Sequence, residues 1–281
     1  MRNNNNKKFN GKAIYQPAGK AGEYAKWACN FYVGCSNGCE YCYLRKGRAA
    51  NILGGSEPKL KKCFKDEYHA LGVFTAELDK NLPELQRHGL FFTFTTDPFL
   101  HKTRLLHIVA SAHAVIKGVN VMFLTKRGGY GLPFVSEGIC FFPQIIKKEY
   151  RKMLAFGHTL TGCDELEPNA APNIQRIGAM RLQHDGGFRV WASIEPVIDF
   201  KKSLEMIRLA QYAGCRMFRI GLESGKKYDK KECLEFIAKV VHSVEDNTKI
   251  YFKDSLLKTV GFSRENLPDN CVGRDYNMFN D

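Results

Sequence analysis

Cys35, Cys39 and Cys42 stand at a CxxxCxxC spacing in the run Gly34-Cys35-Ser36-Asn37-Gly38-Cys39-Glu40-Tyr41-Cys42-Tyr43. Three thiolates this close together can converge on one face of an iron–sulfur cube, for which cysteine is the expected ligand. A [4Fe–4S] cube held by three local ligands keeps one iron open to a small molecule. That asymmetry suits catalysis better than electron storage. Two other readings compete. A distant histidine such as His69 could join the three cysteines on a structural zinc, but zinc ligands usually come as two short-spaced pairs, and no second CxxC occurs. Three buried free cysteines are the other reading, but Gly34, Ser36, Asn37 and Gly38 mark a loop rather than a core strand.

A loop of ligands needs a scaffold to aim it. Ala28 to Val33 is a short apolar run ending at Gly34, and reads as a first strand feeding the cysteines. Further β-rich runs follow at Leu90–Thr96, Val119–Thr125, Gly157–Thr161, Phe188–Glu195, Arg216–Glu223 and Lys249–Lys253. Their continuous apolar character fits strands buried on both faces of a parallel sheet. Helical patterns lie between them, over about 65–87, 101–117, 143–154, 172–184, 201–213 and 229–243, with Pro83 kinking or ending the first. Six β/α units and a last strand imply a parallel sheet, because each crossover returns the chain in the same sense. The count fits an open, partial (β/α)6 TIM-like barrel within an α/β fold. Residues 1–27 read as an irregular N-terminal extension, 28–254 as the barrel core, and 255–281 as a C-terminal cap, all in a single domain.

Parallel β/α barrels do their chemistry at the C-terminal ends of the strands. The residues there are Cys35, Cys39 and Cys42 after the first strand, and Thr95, Thr96, Asp97 and Pro98 after the second. Thr125, Lys126 and Arg127 follow the third, and Thr159, Thr161, Gly162 and Cys163 the fourth. Ser193, Glu195 and Pro196 end the fifth, and Gly221, Glu223 and Ser224 the sixth. Each signal is weak alone, since Thr and Ser at strand ends often only cap helices. Together they converge on one mouth.

The net charge is +13, and residues 1–65 hold thirteen Lys/Arg against Glu23, Glu40 and Glu57. A basic rim beside the cysteine loop suggests a polyanion such as DNA, RNA or a nucleotide; a solvated basic surface without a partner is the plainer reading. The ten cysteines are not spaced as a disulfide framework, no apolar run is long enough to span a bilayer, and the N-terminus lacks the apolar stretch of a secretory signal. The expectation is a cytoplasmic protein with no membrane association.

The order of these pieces resembles the radical S-adenosylmethionine (radical SAM) superfamily. The run Tyr-x-Gly-Cys-x-x-Gly-Cys-x-Tyr-Cys-Tyr, then Thr-Asp-Pro, Leu-Thr-Lys-Arg and Glu-Pro-Val-Ile-Asp, is similar to its spore photoproduct lyase-like branch over roughly residues 28–255. The resemblance implies a [4Fe–4S] cluster on Cys35, Cys39 and Cys42, with SAM chelating the open iron. One electron, from a donor such as flavodoxin or ferredoxin, would yield a 5′-deoxyadenosyl radical that abstracts hydrogen from a substrate. It further implies Thr96 and Asp97 as acceptors for the SAM amine, with Thr95 beside them. Lys126 and Thr159 would meet the carboxylate, Glu195 with Ser193 the ribose, and Tyr41 the adenine. Tyr43 matches a tyrosine that relays the radical. Phe94 stands where the lyase has a hydrogen-donating cysteine, and Cys163 is the thiol that could substitute. The expected function is therefore a radical SAM enzyme for nucleic-acid repair or modification. The alternatives are radical chemistry on a peptide or small metabolite, and a nucleic-acid-binding module with structural zinc or an inert cluster.

Overall fold

A computed structural model describes residues 8–46, 49–128 and 146–280. One eight-stranded sheet organises them. Its strands are β1 (Ile14–Tyr15), β2 (Ala28–Cys29), β5 (Leu90–Phe92), β6 (Val121–Thr125), β7 (Leu154–Thr159), β8 (Arg189–Val197), β9 (Met217–Leu222) and β10 (Lys249–Phe252), adjacent in that order. β1 runs antiparallel to β2, and every other pair is parallel. The seven parallel strands expected from the apolar runs are therefore present, in sequential order. β3 (Tyr32–Val33) and β4 (Lys59–Leu60) form a separate antiparallel pair.

Helices α1 (Ala50–Leu53), α2 (Glu67–Lys80), α3 (Leu82–His88), α4 (Arg104–Ile116), α5 (Asn173–Asp185), α6 (Phe200–Tyr212), α7 (Lys230–Ser243) and α8 (Asp254–Val260) complete the described segments. Asp66, Asp199 and Asp229 cap α2, α6 and α7 by accepting the amides of His69, Lys202 and Glu232. Each satisfies a donor that the first helical turn leaves free. Among the described residues no helix is long and apolar enough to cross a membrane.

The structure corrects several expected boundaries. The run 28–33 splits between the two sheets at Asn30. Its side chain accepts from Thr93 Oγ1 (2.6 Å) and from the Phe94 amide (3.0 Å), taking the place of ladder bonds and ending β5 at Phe92. The helix expected over 65–87 is two helices, because Pro83 lacks an N–H and is tolerated only in the first turn of α3. The fourth strand begins at Leu154 rather than Gly157. Of the helix expected over 143–154, residues 143–145 lie outside the described residues, and Lys148–Met153 is a 3-10 helix. The expected C-terminal cap opens with a helix, α8.

The sheet curls around its own inner face. Tyr24, from the N-terminal extension, packs against Phe91 on β5 and Trp191 on β8, and lies under the cations of Arg219 on β9 and Lys253 after β10. One ring can meet β5 together with β8, β9 and the end of β10, across the intervening β6 and β7, only if the sheet wraps it. Inside, Gly157 makes room for a large neighbour, as a Cβ there would lie 2.1 Å from the Trp191 ring. The two edges β1 and β10 do not pair. The extension fills the seam instead: Glu23 accepts the Asp254 amide (2.8 Å) and Tyr251 Oη (3.2 Å).

His107 on α4 and His158 on β7 are fully buried, and burial pulls each imidazole down to about 4. His107 Nδ1 donates to the Thr103 carbonyl and His158 Nε2 to Gln183 Oε1. The unfolded chain takes up these protons near 6.5. The folded chain does not until about pH 4, so stability is full above 6.5 and falls as pH drops through that window. The expected loss is about 1.4 kcal/mol per histidine per pH unit. Urea denaturation at pH 7 and pH 5 should show it, and the H107Q/H158Q double variant should have a markedly shallower pH dependence.

Candidate active site

The cysteine loop leaves β3 at Gly34, whose φ of +84° suits glycine. A Cβ there would fall 2.4 Å from the Glu57 carbonyl oxygen, so the chain can make this approach only without a side chain. Cys35, Cys39 and Cys42 then border one shallow, partly open recess of about 20 Å³, walled also by Asn37, Leu44 and Gly54. Burial and the Asp97 carboxylate push the Cys35 thiol up to about 11, against the Asn37 and Asp97 amides that favour its thiolate. Burial likewise raises Cys39, opposed by the Lys126 ammonium. Metal binding to these sulfurs would therefore release protons.

Among the described residues no three His, Cys, Asp or Glu side chains close around a single metal ion. His69 is occupied elsewhere, its Nδ1 accepting the Lys65 amide and its ring lying edge-on to Phe64.

Asp97 locks this loop to the barrel. Its Oδ2 accepts from Asn37 Nδ2 (2.9 Å) and the Lys126 amide (2.8 Å). Its Oδ1 accepts from Thr125 Oγ1 (2.8 Å) and the Phe99 amide (3.0 Å). Four donors fill a buried carboxylate, so Asp97 holds the loop against β5 and β6, with no acceptor site left for a ligand amine. Thr95 is also spent, its Oγ1 donating to the Tyr32 carbonyl. Thr96 differs: its buried Oγ1 has no partner, and neither does Asn37 Oδ1. Buried polar atoms are normally satisfied, so this pair is the kind of lining a polar ligand completes. The Lys126 ammonium lies 5.4 Å from the Tyr41 ring centroid and makes no hydrogen bond or ion pair among the described residues.

A second clamp grips the loop from β7. Tyr41 Oη donates to Glu167, whose other oxygen accepts from Arg176 Nη2 at 2.5 Å. Arg176 also donates to the Thr159 and Ala171 carbonyls. The side chains of Arg176 and Glu167 are 0% and 1% exposed, so this pair has no solvent to fall back on. Backbone bonds from Glu40 to Leu166 and from Asn169 to Asn37 run alongside. The Tyr41 hydroxyl thus points at Glu167 rather than into the mouth. Thr159 is buried at the end of β7, where its carbonyl anchors Arg176.

On the far side of the mouth, Ser193 and Glu195 meet Tyr24, whose hydroxyl contacts Ser193 Oγ (2.8 Å) and donates to Glu195 Oε2. Lys253 Nζ reaches both Glu195 oxygens at 2.9 and 3.0 Å. Tyr43 is exposed and donates its hydroxyl to the Phe94 carbonyl, while the Phe94 ring stacks on Phe91 at 4.4 Å. Cys163 is buried beside Lys202, Glu165 and Asp199, toward the start of α6, and does not gather with the three cysteines.

Sequence reasoning missed Asn37, Glu167, Arg176, Tyr24 and Lys253. Arg176 carried a signal, because it shares a helical face with Asn173, Ile177 and Met180, and an arginine on a buried face demands a carboxylate. Lys253 lies two residues after inward-facing Tyr251. Tyr24 had no such mark.

No protein-family model and no curated protein matches the chain. Solved structures do share its fold. Spore photoproduct lyase complexed with dinucleoside spore photoproduct superposes with TM-score 0.62 at 12% identity, over 84% of this chain and 79% of that one. A tyrosine-to-phenylalanine mutant of spore photoproduct lyase gives 0.51 at 12%, and a cysteine-to-alanine mutant 0.50 at 13%. Each of these two covers 87% of this chain, which spans only 62% of theirs.

Asp97→Ala should cost about 3 kcal/mol by urea denaturation, because it strands buried donors from three segments. Glu167→Ala should cost about 3–5 kcal/mol by leaving Arg176 buried and unpaired, and adding Arg176→Met should recover part of that loss.

Proposed function

We propose that this chain, with the fold of spore photoproduct lyase, is a radical SAM enzyme acting on nucleic acid or a nucleotide. The single observation that carries the reading is the recess bordered by three thiols and by Asn37, whose buried Oδ1 has no partner among the described residues. A [4Fe–4S] cluster with SAM would supply a 5′-deoxyadenosyl radical able to abstract hydrogen from an unactivated carbon. The protein's task is to hold, orient and shield those groups.

Cys35, Cys39 and Cys42 hold the cluster. Thr96 Oγ1 and Asn37 Oδ1 accept from the SAM amine, while the Lys126 ammonium, which has no ion pair among the described residues, pairs with its carboxylate. Asp97 and Glu167 act one step back, fixing the loop that carries the ligands. Glu195 and Ser193, oriented by Tyr24 and Lys253, meet the ribose. Tyr43 lies beside the third ligand, exposed to what enters the mouth. A flavodoxin- or ferredoxin-like donor would supply the electron.

A nucleic-acid substrate is supported by the basic first 65 residues and by the neighbour whose complex contains a dinucleoside photoproduct. Phe94 fills the place of the lyase's thiol with a stacked ring, so the reading is repair or modification without a thiol at that position. A base within a duplex would have to be extruded to reach such a mouth.

Anaerobic reconstitution with iron and sulfide should give a brown protein that releases 5′-deoxyadenosine from SAM on reduction. Alanine at Cys35, Cys39 or Cys42 should abolish colour and product; a colourless wild type, or turnover surviving in those variants, would sink the reading. Lys126→Met should keep the colour but weaken SAM binding about 10- to 100-fold, as expected for a charge-assisted contact. DNA affinity should fall steeply with salt.

A further inference from the structure

We infer that the end of the barrel opposite the cysteines carries a second binding site, sized and charged for a nucleoside monophosphate. It does not depend on the radical chemistry. A cavity of about 440 Å³ opens where the strands begin, between the segment before β2, the turn before β5 and residues 274–280. That volume lies in the range of small-molecule pockets. Lys26, Arg87, Arg219 and Arg274 line it, against one carboxylate among the described residues, Asp275.

Arg219 carries the inference. It is 6% exposed, and its Nη1 donates to the Glu23 and Tyr24 carbonyls at 3.0 and 2.6 Å. Its Nε is buried without a partner, and no carboxylate comes within ion-pair distance of its guanidinium among the described residues. The rings of Tyr24, Trp191 and Tyr251 surround it at 5.2–5.9 Å. A buried guanidinium with no carboxylate in direct contact is costly, with Glu23 and Glu195 acting on it only from farther off, and a bound anion would supply that contact. Lys26 and Arg274 are paired with Asp275 and Asp254. Arg87 is exposed and has no hydrogen-bond or ion-pair partner among the described residues, so it is free to meet a phosphate at the rim. The remaining wall suits a planar apolar group, with Tyr24, Leu90, Met122 and Met278 facing the cavity beside the Asn277 amide. Phosphate toward the arginines and base against the apolar wall is the arrangement this lining favours.

The test is calorimetric titration of the full chain with AMP, inorganic phosphate and adenosine. AMP should bind in the micromolar to low millimolar range, and adenosine at least about tenfold more weakly, since the phosphate would carry the charge-assisted contacts. Phosphate alone should compete with AMP. Arg87→Glu, a surface change that leaves the fold intact, should weaken AMP about fivefold or more, and Arg219→Gln by more than about tenfold. Lys126→Met, at the other end of the barrel, should leave AMP binding unchanged. No AMP binding in the wild type, equal affinity for adenosine, failure of phosphate to compete, unaltered binding in Arg87→Glu, or loss in Lys126→Met would each overturn the inference.

Discussion

The Asp97 carboxylate is the constraint on which the site depends. The cysteine loop has two short strands behind it and little apolar surface of its own. A loop of that kind would sample many conformations unless something stiff held it. Asp97 supplies this by accepting from the loop (Asn37), from the next turn (Phe99) and from the end of the third parallel strand (Thr125 and the Lys126 amide). In a buried position such charge-assisted bonds are stronger than ordinary ones. They also set the Lys126 backbone, and so the direction of its ammonium over Tyr41. Glu167 repeats the device from the other flank through Tyr41 and Arg176. The loop is held between two buried carboxylates, each with its acceptors matched to donors.

The barrel interior is polar at both ends and aromatic in the middle. Tyr24 stands at the centre, with its hydroxyl at the mouth and its carbonyl on Arg219 below. Lys253 is 3% exposed in its side chain and is neutralised by Glu195 and Glu23. A lysine this deep is costly unless paired, and its pairs here join elements that no ladder connects. They tie the N-terminal extension to β8 and to the end of β10, closing a sheet whose edges do not meet. The extension therefore takes the place of a further strand, as floor and seam together. Ser193 and Glu195, which the sequence points to as ligand contacts, owe their orientation to it.

Much of this is legible in the chain before folding. The cysteine spacing is local, and eight residues suffice to raise the expectation of a cluster. Buried parallel strands announce themselves as apolar runs, and their order along the chain is their order in the sheet because each crossover returns the same way. The strand-end rule then collects Thr96, Asp97, Lys126, Ser193 and Glu195 at one mouth. Boundaries are less legible where side chains compete with the ladder, as Asn30 does at β5. Only the tertiary structure could separate Asp97 and Thr95, whose side-chain acceptors and donors are spent on the protein, from Thr96 and Lys126, whose side-chain polar atoms make no hydrogen bond among the described residues. It alone could send Cys163 to the helix layer and bring Glu167, Arg176, Tyr24 and Lys253 to the site. The reason is physical: residue type and spacing determine which bonds a side chain is able to make, but which of them it does make depends on partners distant in sequence, and those arrive only when the sheet curls.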